Sequence, residues 1–269
     1  MAIITISRGS FSNGKNVAQR VARTLGYDCI SREILLEASE HFNIPEIKLE
    51  RALHDAPSIL ERFTYGKEHY LAYITAAFLE RVQHNNVVYH GLAGQFFLQG
   101  VTHVLKVRIL ADIENRAALE MERESLTREQ ALERLCKDDE ERRRWSMHLF
   151  GVDTWDPSLY DLVVHVHKLD VDDAANLICD CARLNQFKAT SESQQILDDL
   201  TLAARVKAAL MPDYPKTEVR ATGGAVTVQA RVNQTLEPAL SDRIQAVAEQ
   251  VRGVEEVHMH VVPVNHSCL

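Results

Sequence analysis

The sequence predicts an α/β protein, a parallel sheet with helices on both faces in three layers, followed by a small α+β unit. Three observations carry that prediction. The chain opens on a β-branched run that meets a glycine and serine cluster and then an amphipathic helix. Short apolar runs alternate with helical stretches as far as about residue 184, the pattern of a sheet covered on both sides. Beyond a polar stretch the grammar changes to helix, hairpin, helix and strand.

Ala2 to Ile6 reads as the first strand and Arg8 to Lys15 as a loop. Val17, Ala18, Val21, Ala22 and Leu25 then form the inward stripe of a helix that Gly26 closes. Tyr27 to Ile30 reads as a short extended piece before a helical stretch starting near Ser31. Helical patterning continues over Pro45 to Leu53 and from about Lys67 to Val82. Asn85-Asn86 is a turn signal, Val87 to Tyr89 a strand, and Gly91 to Gly94 a second glycine turn. His103 to Leu110 is a strand and Ile113 to Glu124 a helix. Thr127 with Gln130 makes a capping box for the next helix, and Lys137 to Arg144 is a dense charged run. Leu162 to Val166 is a further strand, and Asp170 caps a helix running to about Leu184.

Asn185 to Ser193 is polar and lacks periodicity, so it reads as a linker between a unit of residues 1–184 and one of residues 194–269. The second unit holds a helix over Ile196 to Leu210, a hairpin around Gly223-Gly224, a helix over Leu240 to Val251 and a strand over Val257 to Val262.

Composition narrows the function classes. The formal net charge is −8 over 269 residues, and no face is concentrated in bases, which argues against general nucleic-acid binding. No apolar run reaches the roughly 20 residues that span a bilayer, and the N-terminus lacks the basic region of a signal peptide. Five scattered cysteines make no disulfide framework, and the expectation is a cytoplasmic chain with reduced thiols.

Gly9-Ser10-Phe11-Ser12-Asn13-Gly14-Lys15 fits the spacing G-x-x-x-x-G-K, and it lies between a strand and a helix, where the mechanism requires it. Glycines let the backbone N–H groups of Ser12, Asn13, Gly14 and Lys15 wrap a phosphate. The helix N-terminus adds partial positive charge, and Lys15 reaches toward the β- and γ-phosphates. ATP is the ligand this pattern implies. The next position ordinarily carries a Ser or Thr hydroxyl that ligates Mg2+ and here is Asn16, whose amide oxygen is the candidate metal ligand.

On these residues the sequence resembles the cytidylate kinase-like family of bacterial P-loop proteins. The likeness runs from Ile3-Ile4-Thr5-Ile6-Ser7-Arg8 and the glycine loop to Leu25-Gly26-Tyr27. It continues through Val88 to Leu98, Lys106-Val107-Arg108-Ile109 with Arg116, Leu126 to Trp145, and Tyr160-Asp161-Leu162-Val163. The resemblance implies a nucleoside monophosphate kinase fold with an arginine-bearing lid over the phosphates. It matches Gly14 and Lys15 to the phosphate loop, Arg116 to the arginine after the fourth strand, and Asp139, Arg142 and Trp145 to a D-x-x-R-x-x-aromatic pattern in the lid. Lys15, Arg116 and Arg142 are the catalytic candidates. Arg8, Asp28, Arg32, His90 and Gln95 are the acceptor-side candidates. Where the family commonly shows Gly-Arg after the third strand, this sequence has Gly91-Leu92. The reading is an ATP- and Mg2+-dependent phosphotransferase acting on a small acceptor, a nucleoside monophosphate first. A nucleotide sensor without efficient transfer is the alternative.

His165-x-His167 and His258-x-His260 each place two imidazoles on one strand face without a third ligand nearby in sequence, and they read as hydrogen-bonded strand histidines. Residues of about 194 to 264 resemble a BON domain through Arg205-Val206-Lys207, the Gly223 to Val228 hairpin, and Val251 to Val257. That resemblance implies a module that binds a ligand or protein partner.

Overall fold

The computed structural model describes residues 2–9, 12–31, 33–42, 66–91, 94–232 and 237–263 of the chain. The stretch 45–53 expected to be helical, Arg32 and Leu92 lie outside the described residues. Elements follow in the order β1 (Ile3–Arg8), α1 (Gly14–Leu25), β2 (Asp28–Ile30), α2 (Glu33–Phe42), α3 (Gly66–Val82), β3 (Val87–His90), α4 (Gly94–Phe97), β4 (Val104–Ala111), α5 (Ile113–Glu124), α6 (Arg128–Phe150), β5 (Leu162–Val166) and α7 (Val171–Ala182). Then come α8 (Ser191–Leu210), β6 (Glu218–Thr222), β7 (Ala225–Val232), α9 (Glu237–Glu249) and β8 (Glu256–Pro263).

The first five strands form one parallel sheet in the order β2-β3-β1-β4-β5. β1 is apolar on both faces because both are covered. Ile4 and Ile6 meet Val17 and Val21 of α1 and Ile178 of α7, while Ile3 faces the opposite core with Phe78 of α3. The chain leaves β1 toward β2 and leaves β4 toward β5 on the other side. The carboxyl ends of β1 and β4 therefore border the switch-point crevice in which open α/β sheets bind ligands.

The local signals placed the caps. Gly26 ends α1 at φ 70°, where a left-handed residue is needed, and its N–H donates to the Ala22 carbonyl. The Thr127–Gln130 box opens α6, and Asp170 with Asp173 makes a second box at α7. The charged run Lys137 to Arg144 is internal to α6, one unbroken helix of 23 residues.

Both ends of the stretch 185–193 take regular structure. Asn185–Phe187 is a 3-10 turn, and α8 begins at Ser191, five residues earlier than its apolar pattern suggests, because the Thr190 hydroxyl caps Ser193 N–H. α8 is buried on two sides. Leu197, Ala204, Ala208 and Met211 belong to the core under α3, whereas Leu202, Val206 and Leu210 belong to the core of the three-stranded sheet β6-β7-β8. β6 and β7 form the expected hairpin, and α9 returns the chain so that β8 pairs parallel to β7.

A polar joint holds α8 to the first sheet. The Ser193 hydroxyl accepts from Thr102 N–H at 2.9 Å and lies 2.6 Å from Nδ1 of His103, whose Nε2 is 2.8 Å from Asn85 Oδ1. With the Asn85 amide donating to Gln194, this network suits a neutral imidazole protonated at Nε2. Burial lowers the His103 pKa below its ordinary 6.5. The unfolded chain therefore takes up this proton first, and the stability held by the neutral ring is lost as pH falls below about 6.5. We expect urea midpoints to drop between pH 7.5 and pH 5.5, with a slope from this residue of at most about 1.4 kcal/mol per pH unit, and His103→Gln to flatten that limb. An unchanged limb in the variant would assign the acid sensitivity elsewhere.

Candidate active site

The glycine loop leaves the carboxyl end of β1 and enters α1 through Asn13, which has φ 60°. Ser12 is buried, and its hydroxyl donates to the Gly9 carbonyl at 3.0 Å, so the side chain ties the loop to itself. The first turn of α1 carries no acid, which leaves its N-terminal dipole uncompensated and ready for an anion. Lys15 and Asn16 are exposed on that turn. The Asn16 amide nitrogen lies 3.4 Å from Asn13 Oδ1, an orientation that keeps the Asn16 amide oxygen as an acceptor.

Both motif glycines have close neighbours. A Cβ on Gly14 would fall inside the aliphatic stem of Arg8, and one on Gly9 would come within 3.2 Å of the Arg116 guanidinium and the Asp139 carboxylate. Residues far apart in sequence are thus assembled against the loop. Arg116 of α5 is 8% exposed and pairs with Asp139 of α6 at 2.8 Å; Arg142, one turn further along α6, is 3.9 Å from the same carboxylate. Burial and then the neighbouring Arg142 charge push Arg8 below the ordinary arginine range, and burial does the same to Arg142.

Arg116 and Arg142 therefore share one carboxylate, and the Arg8 stem lies against Gly14 of the loop. Arg8 Nε, Arg142 Nη1 and Asp139 Oδ1 are buried there without a hydrogen bond. Buried polar atoms of this kind call for a partner, and the excess of cations beside a phosphate loop fits a polyanion. For Mg2+ the fit is narrower. The Asn16 amide oxygen can serve as one ligand, and no cluster of three or more acidic, histidine or cysteine side chains able to hold a metal occurs among the described residues, so phosphates and water would supply the rest.

Two clefts flank the loop. One, of about 420 Å3, is lined by Asn13, Asn115, Leu119, His167, Leu169 and Asp170. The other, of about 450 Å3, runs from Gly9 and Ser12 past Arg108 and Arg116 to Trp155 and Pro157.

The remaining candidates divide. His90 ends β3 opposite Ile6, and both it and Gln95 are buried. Asp28 is not at this end of the sheet. It pairs with Val87, which stands level with Ile3, so five residues of strand, about 17 Å, separate it from Arg8, and its carboxylate binds Arg81 at 3.2 Å. The helix α6 departs from a free-standing lid. Trp145 is 1% exposed and packs at 5.8 Å from the Phe150 ring, which seats the aromatic position in the main core. Arg123, one face with Arg116 by spacing, is solvent-exposed and pairs with Glu124. His165 and His167 share one acceptor, Asp112, at 3.1 and 2.6 Å.

Sequence reasoning did not single out Trp155, and it quoted Arg108 only within the family resemblance; both line the second cleft. The signal for Arg108 was present, because Lys106 and Arg108 interrupt an apolar strand at alternate positions and so share one face. Nothing local marks Trp155.

A five-stranded parallel sheet in this order, with a glycine loop leaving its central strand and arginines gathered on the loop, defines a P-loop kinase fold. The chain belongs to the cytidylate kinase-like family, whose model matches residues 3–168. The cytidylate kinase of Pyrobaculum aerophilum is 24% identical over 181 residues, covering 67% of this chain and 92% of that protein. The cytidylate kinase of Pyrobaculum arsenaticum matches to the same identity and extent. Among solved structures, an uncharacterized protein from Eubacterium ventriosum shares the fold with a TM-score of 0.52 and 22% identity, over 68% of this chain and 98% of its own. No helix among the described residues is long and apolar enough to cross a membrane.

Proposed function

We propose that this protein transfers the γ-phosphoryl group of ATP to a nucleoside monophosphate, with Mg2+, in the manner its family implies. The single observation that carries the reading is the pair Arg116 and Arg142 on Asp139, set against Gly9 of the phosphate loop, with Arg8 packed on Gly14. Phosphoryl transfer asks a protein for positioning and charge neutralisation, and this cluster supplies both. The N–H groups of Ser12 to Lys15 hold the β- and γ-phosphates, Lys15 neutralises charge developing between them, and Arg116 and Arg142 approach from the α5 and α6 side. The ATP base occupies the cleft of Asn13, Asn115, Leu119 and His167. Asn16 would hold Mg2+ in part, and the ion would supply charge compensation for the phosphates. An acceptor phosphate oxygen bonds to the γ-phosphorus, the bond to the β–γ bridging oxygen breaks, and ADP leaves beside a nucleoside diphosphate.

The C-terminal unit, with its BON-like sequence, serves in this reading as a ligand- or partner-binding module. Its coupling to the kinase fold runs through α8, which lies in both cores.

The test is ADP release from Mg-ATP across CMP, dCMP, UMP, AMP and GMP, with thermal unfolding recorded in parallel. Turnover with one of these acceptors is expected. ATP at 100 times its dissociation constant should add about 2.7 kcal/mol of stability. Stabilisation by ATP without turnover on any acceptor would replace the kinase reading by a nucleotide sensor, and no stabilisation would reject both.

A further inference from the structure

The histidine pair at the end of β5 has a use in the first cleft. Two large apolar side chains left in solvent form its walls: Leu119 of α5 is 39% exposed and Leu169 is 38%, and both line it. A planar base fits between such walls, and its edge then meets the polar rim of Asn115, Glu122, His167 and Asp170. No lysine or arginine lines this cleft among the described residues, so the rim is rich in acceptors for the N–H groups of a base.

His167 is the rim group whose hydrogen-bonding sense the fold fixes. Its Nδ1 lies 2.6 Å from Asp112 Oδ2. A carboxylate only accepts, so Nδ1 carries the ring proton and Nε2 of the neutral imidazole keeps its lone pair. The Asn115 amide nitrogen is 3.4 Å from the same Nδ1, too far to displace the carboxylate. His165 takes the other oxygen, Asp112 Oδ1, through its Nε2 at 3.1 Å. His167 lines the cleft and Asp112 does not, so the ring edge away from Asp112 is the one turned toward a bound base.

We propose that His167 selects the donor nucleotide by its base: Nε2 accepts a hydrogen bond from the exocyclic amino group of adenine, and Asp112 is the positioning residue that holds the imidazole in the accepting tautomer. The inference rests on the phosphotransferase reading in one respect, that a nucleoside triphosphate lies on the loop with its base in this cleft. Inosine carries a carbonyl oxygen where adenine carries that amino group, and against Nε2 it sets one lone pair on another.

The test is calorimetric binding of Mg-ATP and Mg-ITP without acceptor at pH 8.5, which keeps imidazoles neutral. Wild type is expected to bind ATP about tenfold more tightly than ITP. His167→Ala brings the two affinities within about twofold while its affinity for inorganic triphosphate stays that of wild type. Asp112→Ala retains Nε2 but frees the tautomer, so the preference falls severalfold, and the ring-nitrogen NMR signals of His167 move from the Nδ1–H toward the Nε2–H form. His165→Ala, which removes the imidazole outside the cleft, keeps the wild-type preference. ITP bound as tightly as ATP by wild type, or a preference that survives His167→Ala, would overturn the assignment and leave the phosphotransferase reading standing. Binding of neither nucleotide is the failure of that reading itself, and the inference falls with it.

Discussion

Replacing Lys15 with alanine lowers the rate of ATP-dependent transfer by about a hundredfold or more, a few kcal/mol of transition-state stabilisation, while leaving the folded protein intact. Both halves of that expectation come from where the residue sits. Lys15 occupies the first turn of α1, is exposed, and makes no ion pair among the described residues, so little of the fold depends on its charge. Its ammonium is free to meet the phosphates that the loop N–H groups collect. Lys15→Arg keeps the charge with a different fork and should lie between wild type and alanine. The measurement is ADP release with the selected acceptor, alongside the unfolding midpoint of each variant. Equal turnover by wild type and Lys15→Ala would remove the loop from the chemistry.

The second large effect concerns stability. Asp139→Ala leaves Arg116 and Arg142 without the carboxylate they share. Breaking a buried ion pair by removing one partner costs roughly 3–5 kcal/mol, and the Asp139 side chain is 20% exposed, so a loss of about 2–3 kcal/mol is expected. At this chain length that is a fall of about 5–10 °C in Tm. The sign of the ligand effect is the sharper test. Arg116 and Arg142 then lack their shared anion, so pyrophosphate or ATP should stabilise Asp139→Ala by more than it stabilises wild type. Equal ligand-induced shifts in the two proteins would mean that the cluster does not face the phosphates.

The elements set by neighbouring residues are legible in the chain itself. β-branched residues in Ile3 to Ile6, the inward stripe from Val17 to Leu25, and the boxes at Thr127 and Asp170 act within a turn or a strand, and the folded protein reproduces them within a few residues. The arginine run shows the limit. Residues 142 to 144 are consecutive on one helix and point about 100° apart, so the sequence says only that they diverge. Arg142 and Arg144 meet Asp139 and Glu140 of the same helix at i,i+3 and i,i+4, whereas the pairing of Arg143 with Asp153 and of Asp139 with Arg116 of α5 comes from tertiary packing. The same packing carries Trp145 into the core.

α8 is a comparable case. Its apolar residues follow two stripes, and a single stripe is enough to predict a helix of one unit. Only the placement of α3 and of the three-stranded sheet on its two sides made both stripes necessary.

By itself the sequence determined the strand, phosphate loop and helix at its start, the alternation that builds a parallel sheet, and the caps, because hydrogen-bonded turns and side-chain periodicity are local. Tertiary structure decided the strand order, and with it that Asp28 stands at the far edge of the sheet while Arg8, Arg116, Asp139 and Arg142 converge on Gly9. It also placed Arg108 and Trp155 along one cleft. These groups meet across long stretches of chain because helices bury their stripes on a twisted sheet, and no period within the chain encodes which end of that sheet a side chain reaches.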